Sequence, residues 1–182
     1  MTKKNTENPL YAHDTIEFVT VAAQFCVYLE QCQEKSRREF VETMIKLLPL
    51  LYMKATLVPR IESYGNFLPA EQVTEDDYNC IRTNVACIMG NDDEYEELMH
   101  GPDAEPEEIV WQSVSEGLAD IYQPLRNFVF AYQQRIDDCM TDALWIVMDH
   151  FELFWGQCLV DTLRRLHVVR YSQPALDDED DI

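Results

Sequence analysis

Glycine is scarce in this sequence, five residues in 182, and the five are scattered singly. No Gly-rich loop is available to cradle a phosphate, and no G-x-S-x-G elbow presents a nucleophilic serine. With only eight prolines as well, the turn density of an all-β fold is missing. No stretch approaches the roughly 20 consecutive apolar residues that cross a bilayer as a helix. The N-terminal MTKKNTENPLYAHD also lacks the apolar core of a secretion signal, so a cytoplasmic protein is expected. The six cysteines form no C-x-x-C pair and have no zinc spacing with a histidine. All six fall inside apolar helical patterns and are expected to be reduced, buried and inert.

Basic residues are the next shortage. Lys and Arg number 14 against 34 Asp and Glu, for a formal charge of −20. The imbalance is local: residues 1–60 are nearly neutral, whereas residues 61–125 carry one arginine against sixteen carboxylates. A field of that sign repels phosphate backbones and anionic lipid, so neither direct nucleic-acid binding nor membrane binding is expected. A basic protein is the kind of partner that fits. Oligomeric state is not readable from the residues.

What the chain does have is helical periodicity, and its 47% hydrophobic content suffices for one packed core. The reading is all-α: an antiparallel up-and-down bundle of about five main helices over residues 1–172, with a long central C-terminal helix and an acidic tail, 173–182, expected to be disordered. The first helix is expected to start at Asp14, capped by D-T-I-E, with Phe18, Val21, Phe25 and Leu29 on one face. Ser36 and Glu39 frame a capping box for the second, where Pro49 predicts a kink near Ile45 to Leu48 or two shorter helices. Thr74 to Asp77 cap a third helix that stops at Gly90, and DDEYEELM reads as a short acidic helix. Ser113 to Glu116 open a fourth, expected to be kinked or late because of Pro124. The last runs from Cys139 to Tyr171 with apolar stripes on two sides, hence its expected central place.

Two runs in this C-terminal third carry a resemblance. Leu118, Asp120, Ile121 and Tyr122 form L-x-D-I-Y. Ala143, Trp145, Phe151, Glu152, Trp155, Gly156, Leu163, Arg164, Leu166 and His167 follow as A-x-W, F-E-x-x-W-G and L-R-x-L-H. Over about residues 113–167 the sequence resembles a bacterial family known as domain of unknown function 5063. The resemblance implies a helical fold and marks residues to watch; it implies no reaction.

Two candidate sites follow from the residues. On a helical wheel Glu152 falls among Trp145, Leu159 and Leu163, so its carboxylate is expected to be partly buried and in need of a partner. Asp120, Tyr122, Glu152, Trp155 and His167 are therefore a candidate polar cluster or pocket, if the last two helices pack antiparallel. The second site is the acidic run Asp92, Asp93, Glu94, Glu96 and Glu97, a candidate surface for a basic partner with Tyr95 and Trp111 as aromatic anchors. No catalytic residue is assigned. No cofactor is expected, and no metal either, because the Glu-x-x-His pairs of helical di-metal sites are missing and His150 and His167 stand too far apart on one helix. The leading functional reading is a non-enzymatic interaction or adaptor domain. The alternative is a small-molecule-binding or enzymatic helical domain centred on Glu152 and Asp120.

Overall fold

The computed structural model describes residues 8–65, 71–98 and 109–172. The chain runs α1 (His13–Glu30), α2 (Arg37–Leu57), α3 (Glu75–Met89), β1 (Glu94–Leu98), β2 (Ile109–Ser113), α4 (Val114–Gln133), α5 (Asp137–His150), a π-turn (Phe151–Trp155) and α6 (Gly156–Ser172). Helix dominates, and α5, the π-turn and α6 form one long C-terminal helix. The tail expected at 173–182 lies outside the described residues.

The helix starts follow local chemistry. Thr74 and Asp77 complete a reciprocal capping box on α3, with Thr74 Oγ1 accepting from the Asp77 amide and the Asp77 carboxylate accepting from the Thr74 amide. Ser36 Oγ accepts from the Glu39 amide and Ser113 Oγ from the Glu116 amide; the Glu39 carboxylate pairs instead with Lys35. The cap of α1 lies two residues earlier than expected: Ala12 holds the cap position without a side-chain bond, and Asp14 sits in the first turn. Both prolines are absorbed. α2 is one helix through Pro49, an exposed position where the carbonyl one turn back can turn to water, and α4 starts at Val114 and continues through Pro124.

Residues 94–98 are a strand, not the expected acidic helix. EYEEL pairs antiparallel with IVWQS, Glu94 opposite Ser113 and Glu96 opposite Trp111. Alternation explains the choice: Tyr95 is half-buried against the bundle while Glu94 and Glu96 face water, a period-two pattern that a helix would smear over its circumference.

The long C-terminal helix packs against α2 and along α4, and α4 in turn packs against α1, α3, α5 and α6. Its buried Leu118, Ile121, Leu125 and Phe128 meet Phe18, Phe25 and Trp155 in one core. Phe18 stacks between Phe128 at 5.6 Å and Trp155 at 6.4 Å. Gly117 lets α4 approach α6, since a Cβ there would collide with the Thr162 hydroxyl. The cysteines divide. Cys26, Cys32 and Cys139 are buried and Cys158 half-buried, but Cys80 and Cys87 are exposed because the apolar stripe of α3 runs through Ile81, Val85 and Met89, one position from Cys80 and two from Cys87.

Candidate functional site

The π-turn organises the surface. The Gly156 amide donates to the carbonyl of Phe151, five residues back, so one extra residue enters the helix and everything after it rotates by about 100° relative to an unbroken wheel. Gly156 is where this is tolerated, because a Cβ there would lie 2.5 Å from the Phe151 carbonyl oxygen. Within the turn the side chains diverge. Phe151 and Glu152 line one cleft, Leu153 and Phe154 line another, and Trp155 points into the core.

That divergence separates the five residues expected to cluster. Glu152 is exposed, not partly buried, beside Arg60, Trp145 and Asp149 in a cleft of about 440 Å³. Asp120 lies in the other cleft, about 390 Å³, with Cys158, Asp161 and Leu153, where it accepts a 2.8 Å bond from the Tyr78 hydroxyl. Burial holds its carboxyl above the usual aspartate range, opposed by the Tyr78 bond and reinforced by nearby Glu116. Tyr122, two residues on and hence on the opposite flank of α4, donates to Glu30 at 3.0 Å, which also takes Arg126 at 2.8 Å. Trp155 is fully buried and its indole N–H donates to the Val147 carbonyl at 2.9 Å. His167 is exposed and packs on the Tyr171 ring at 4.7 Å. The wheel failed for two reasons: it assumed an unbroken helix through residue 151, and it joined residues that α4 presents to opposite sides.

The acidic run also divides. Asp92 is buried and ion-paired with Arg37 from α2 and with Arg165 from α6. Asp93 is buried too, accepting the Ser115 amide at 2.8 Å and the Ser115 hydroxyl at 2.7 Å, which ties β1 to the start of α4. Glu97 pairs with Arg164, and Arg165 lies over the Tyr95 ring at 5.2 Å. These three carboxylates and Tyr95 therefore clasp the hairpin to the bundle and do not form a free surface. Glu94 and Glu96 remain exposed. Trp111, across from Glu96, is 68% exposed and borders a cleft of about 630 Å³ between α3 and the hairpin, with Arg82, Cys87, Glu94 and Glu116 on its walls.

Other polar groups have structural partners. Buried Asp142 accepts from Ser63 Oγ at 2.6 Å and from the Tyr64 amide at 2.7 Å, anchoring the segment after α2. Asn127 accepts the amides of Gln72 and Val73. His13, Asp14 and Glu17 bring ligand atoms within 4.8 Å of one another, but the Lys54 ammonium already donates to Glu17 at 2.8 Å and supplies the cation there. Sequence reasoning missed the open charges of the π-turn cleft. Trp145, Asp149 and Glu152 at i, i+4 and i+7 were the available signal.

Residues 10–172 match the family described as Domain of unknown function (DUF5063). The chain belongs to that family. This DUF5063 chain is similar to protein BF1032 from Bacteroides fragilis, for which a crystal structure exists: 40% identity, a TM-score of 0.83, and coverage of 92% of this chain and 99% of that one. Of the residues that carried the resemblance in the sequence, Phe151, Glu152 and Trp155 lie in the π-turn and Gly156 directly follows it, while Trp145 stands six residues earlier in α5. No curated protein matches the chain. Among the described residues no helix is long and apolar enough to cross a membrane.

Proposed function

We propose that this DUF5063 chain is a non-enzymatic, cytoplasmic protein-interaction or adaptor domain that docks a basic protein segment on the outer face of its hairpin. The observation behind this reading is Trp111, a large aromatic left 68% exposed on a strand and bordered by the exposed carboxylates Glu94, Glu96 and Glu116. An aromatic anchor inside an acidic rim is how an interface combines hot-spot burial with charge steering. The clasp beneath the hairpin supports the reading, since Asp92, Asp93 and Glu97 hold the face in place while the outward residues stay free to engage. Thiol chemistry is disfavoured at the four buried and half-buried cysteines. Burial pushes the thiols of Cys26, Cys32 and Cys139 up, away from thiolate, and that of Cys158 up to about 11.

The test is affinity capture from native extract with the full chain and its Trp111→Ala and Glu94→Gln/Glu96→Gln variants, at low salt and at roughly 0.5 M salt. The expected result is a basic protein held by the wild type, released by salt and lost from both variants. A partner retained by Trp111→Ala, a salt-insensitive partner, or none at all would overturn the reading.

A further inference from the structure

The cleft beside the π-turn is a different kind of surface from the hairpin. The apolar part of its lining is built by Val58, Pro59 and Ile61 after α2 and by Met148 and Phe151 from the C-terminal helix, with Trp145 at 40% exposure as an open aromatic face. Asp149 and Glu152 stand on that wall one and two helical turns beyond Trp145, and both are exposed. Neither makes an ion pair or hydrogen bond among the described residues, and neither does Arg60, although Arg60 lines the same cleft. Two carboxylates thus face one guanidinium, and the cleft is net negative. The end of α2 adds to the negative field, because Ala55 and Thr56 from its last turn line the cleft and the final carbonyls of a helix carry partial negative charge.

The walls are fixed in advance of any ligand. The segment after α2 is pinned to α5 by buried Asp142 through Ser63 and Tyr64. Phe151 is held edge-on to Tyr52 at 5.2 Å and against Trp155 at 4.6 Å. The π-turn sets the direction of Glu152, and such insertions recur at functional sites. A volume of about 440 Å³ suits a small molecule.

We infer that this cleft is a binding site for a small organic ammonium ion carrying an apolar or aromatic body. The ammonium sits between Asp149 and Glu152, where charge-assisted hydrogen bonds are available, and the body lies on the faces of Trp145 and Phe151, which also attract a cation. Arg60 acts as an intrinsic opponent that weakens the site without neutralising it.

The probe is 2-phenylethylammonium, titrated into the full chain by calorimetry and by the NMR shift of the Trp145 indole N–H, with 3-phenylpropanoate and 3-phenylpropanamide as anionic and neutral counterparts. Saturable one-to-one binding is expected for the ammonium alone. The Asp149→Asn/Glu152→Gln variant should weaken it by about tenfold or more, Trp145→Leu by several-fold, and Arg60→Gln should tighten it. All four positions are exposed, and unchanged melting curves confirm that the variants fold. The inference falls if no probe saturates, if the carboxylate or amide binds as well as the ammonium, if the double variant binds unchanged, or if Arg60→Gln abolishes binding.

Discussion

Carboxylates at the hairpin and carboxylates at the π-turn cleft have opposite situations in this molecule. Asp92, Asp93 and Glu97 belong to the densest acidic run of the described chain, yet each is held by a partner from another element. Asp149 and Glu152 stand in a stretch where acids are more widely spaced, with no Lys or Arg between Arg135 and Arg164, and are open to water. Density of charge along a sequence thus says little about which charges are available. Availability is set by the cations that the fold brings near, and here the arginines of α2 and α6 converge on the hairpin.

The sharpest way to break the comparison is at the π-turn itself. If the turn is what keeps Glu152 open, the residue that anchors it should matter far more than Glu152. Trp155→Ala removes a fully buried indole stacked near Phe18 and its bond to Val147, and should cost about 3–5 kcal/mol in urea denaturation. Glu152→Gln should stay within about 0.5 kcal/mol of wild type. Equal effects would mean that the cleft carboxylate is structural.

Next in size is the hairpin clasp. Asp92→Ala leaves the half-buried guanidiniums of Arg37 and Arg165 without their shared carboxylate, an expected loss of about 3 kcal/mol at most, since both arginines keep some contact with water. Asp149→Asn in the cleft should change stability by less than about 0.5 kcal/mol. A negligible effect of Asp92→Ala in the same denaturation assay would place the hairpin acids with the cleft acids and dissolve the distinction.

Legibility in the sequence followed the range of the interactions. The helices were readable because their caps and stripes are local: Thr74 meets Asp77 three residues away, and Phe18, Val21, Phe25 and Leu29 share a face through helical spacing alone. The hairpin was not, because glutamates are poor strand formers and the partner of EYEEL lies beyond a ten-residue connection. The π-turn left one trace, Gly156 after Trp155, whose meaning depends on a collision with Phe151 that no periodicity reveals. Of the site residues, Trp111 could be named in advance because an aromatic beside an acidic run stands out. The fates of Asp92 and Asp93 could not, since Arg37 and Arg165 lie 55 and 73 residues from Asp92 in sequence and Ser115 only becomes a donor once α4 begins there.

Asp120 falls between the two populations and gives the smallest expected effect. It is half-buried and paired, but with the neutral hydroxyl of Tyr78 in place of an arginine, so burial dominates and raises its folded pKa above the unfolded 3.8. The folded state therefore binds the proton more tightly than the unfolded state does. The resulting stability is fully present below 3.8 and is lost as pH rises through the higher folded value. Asp120→Asn keeps an acceptor for Tyr78 and carries no charge, so it should remove that loss. The denaturation midpoint of the variant relative to wild type should climb as pH rises above about 4 and level off once the folded carboxyl has ionised. A difference that is flat across this range would show that solvent reaches Asp120 freely. A difference that falls with pH would show that a cation stabilises its charge, placing Asp120 with the clasp.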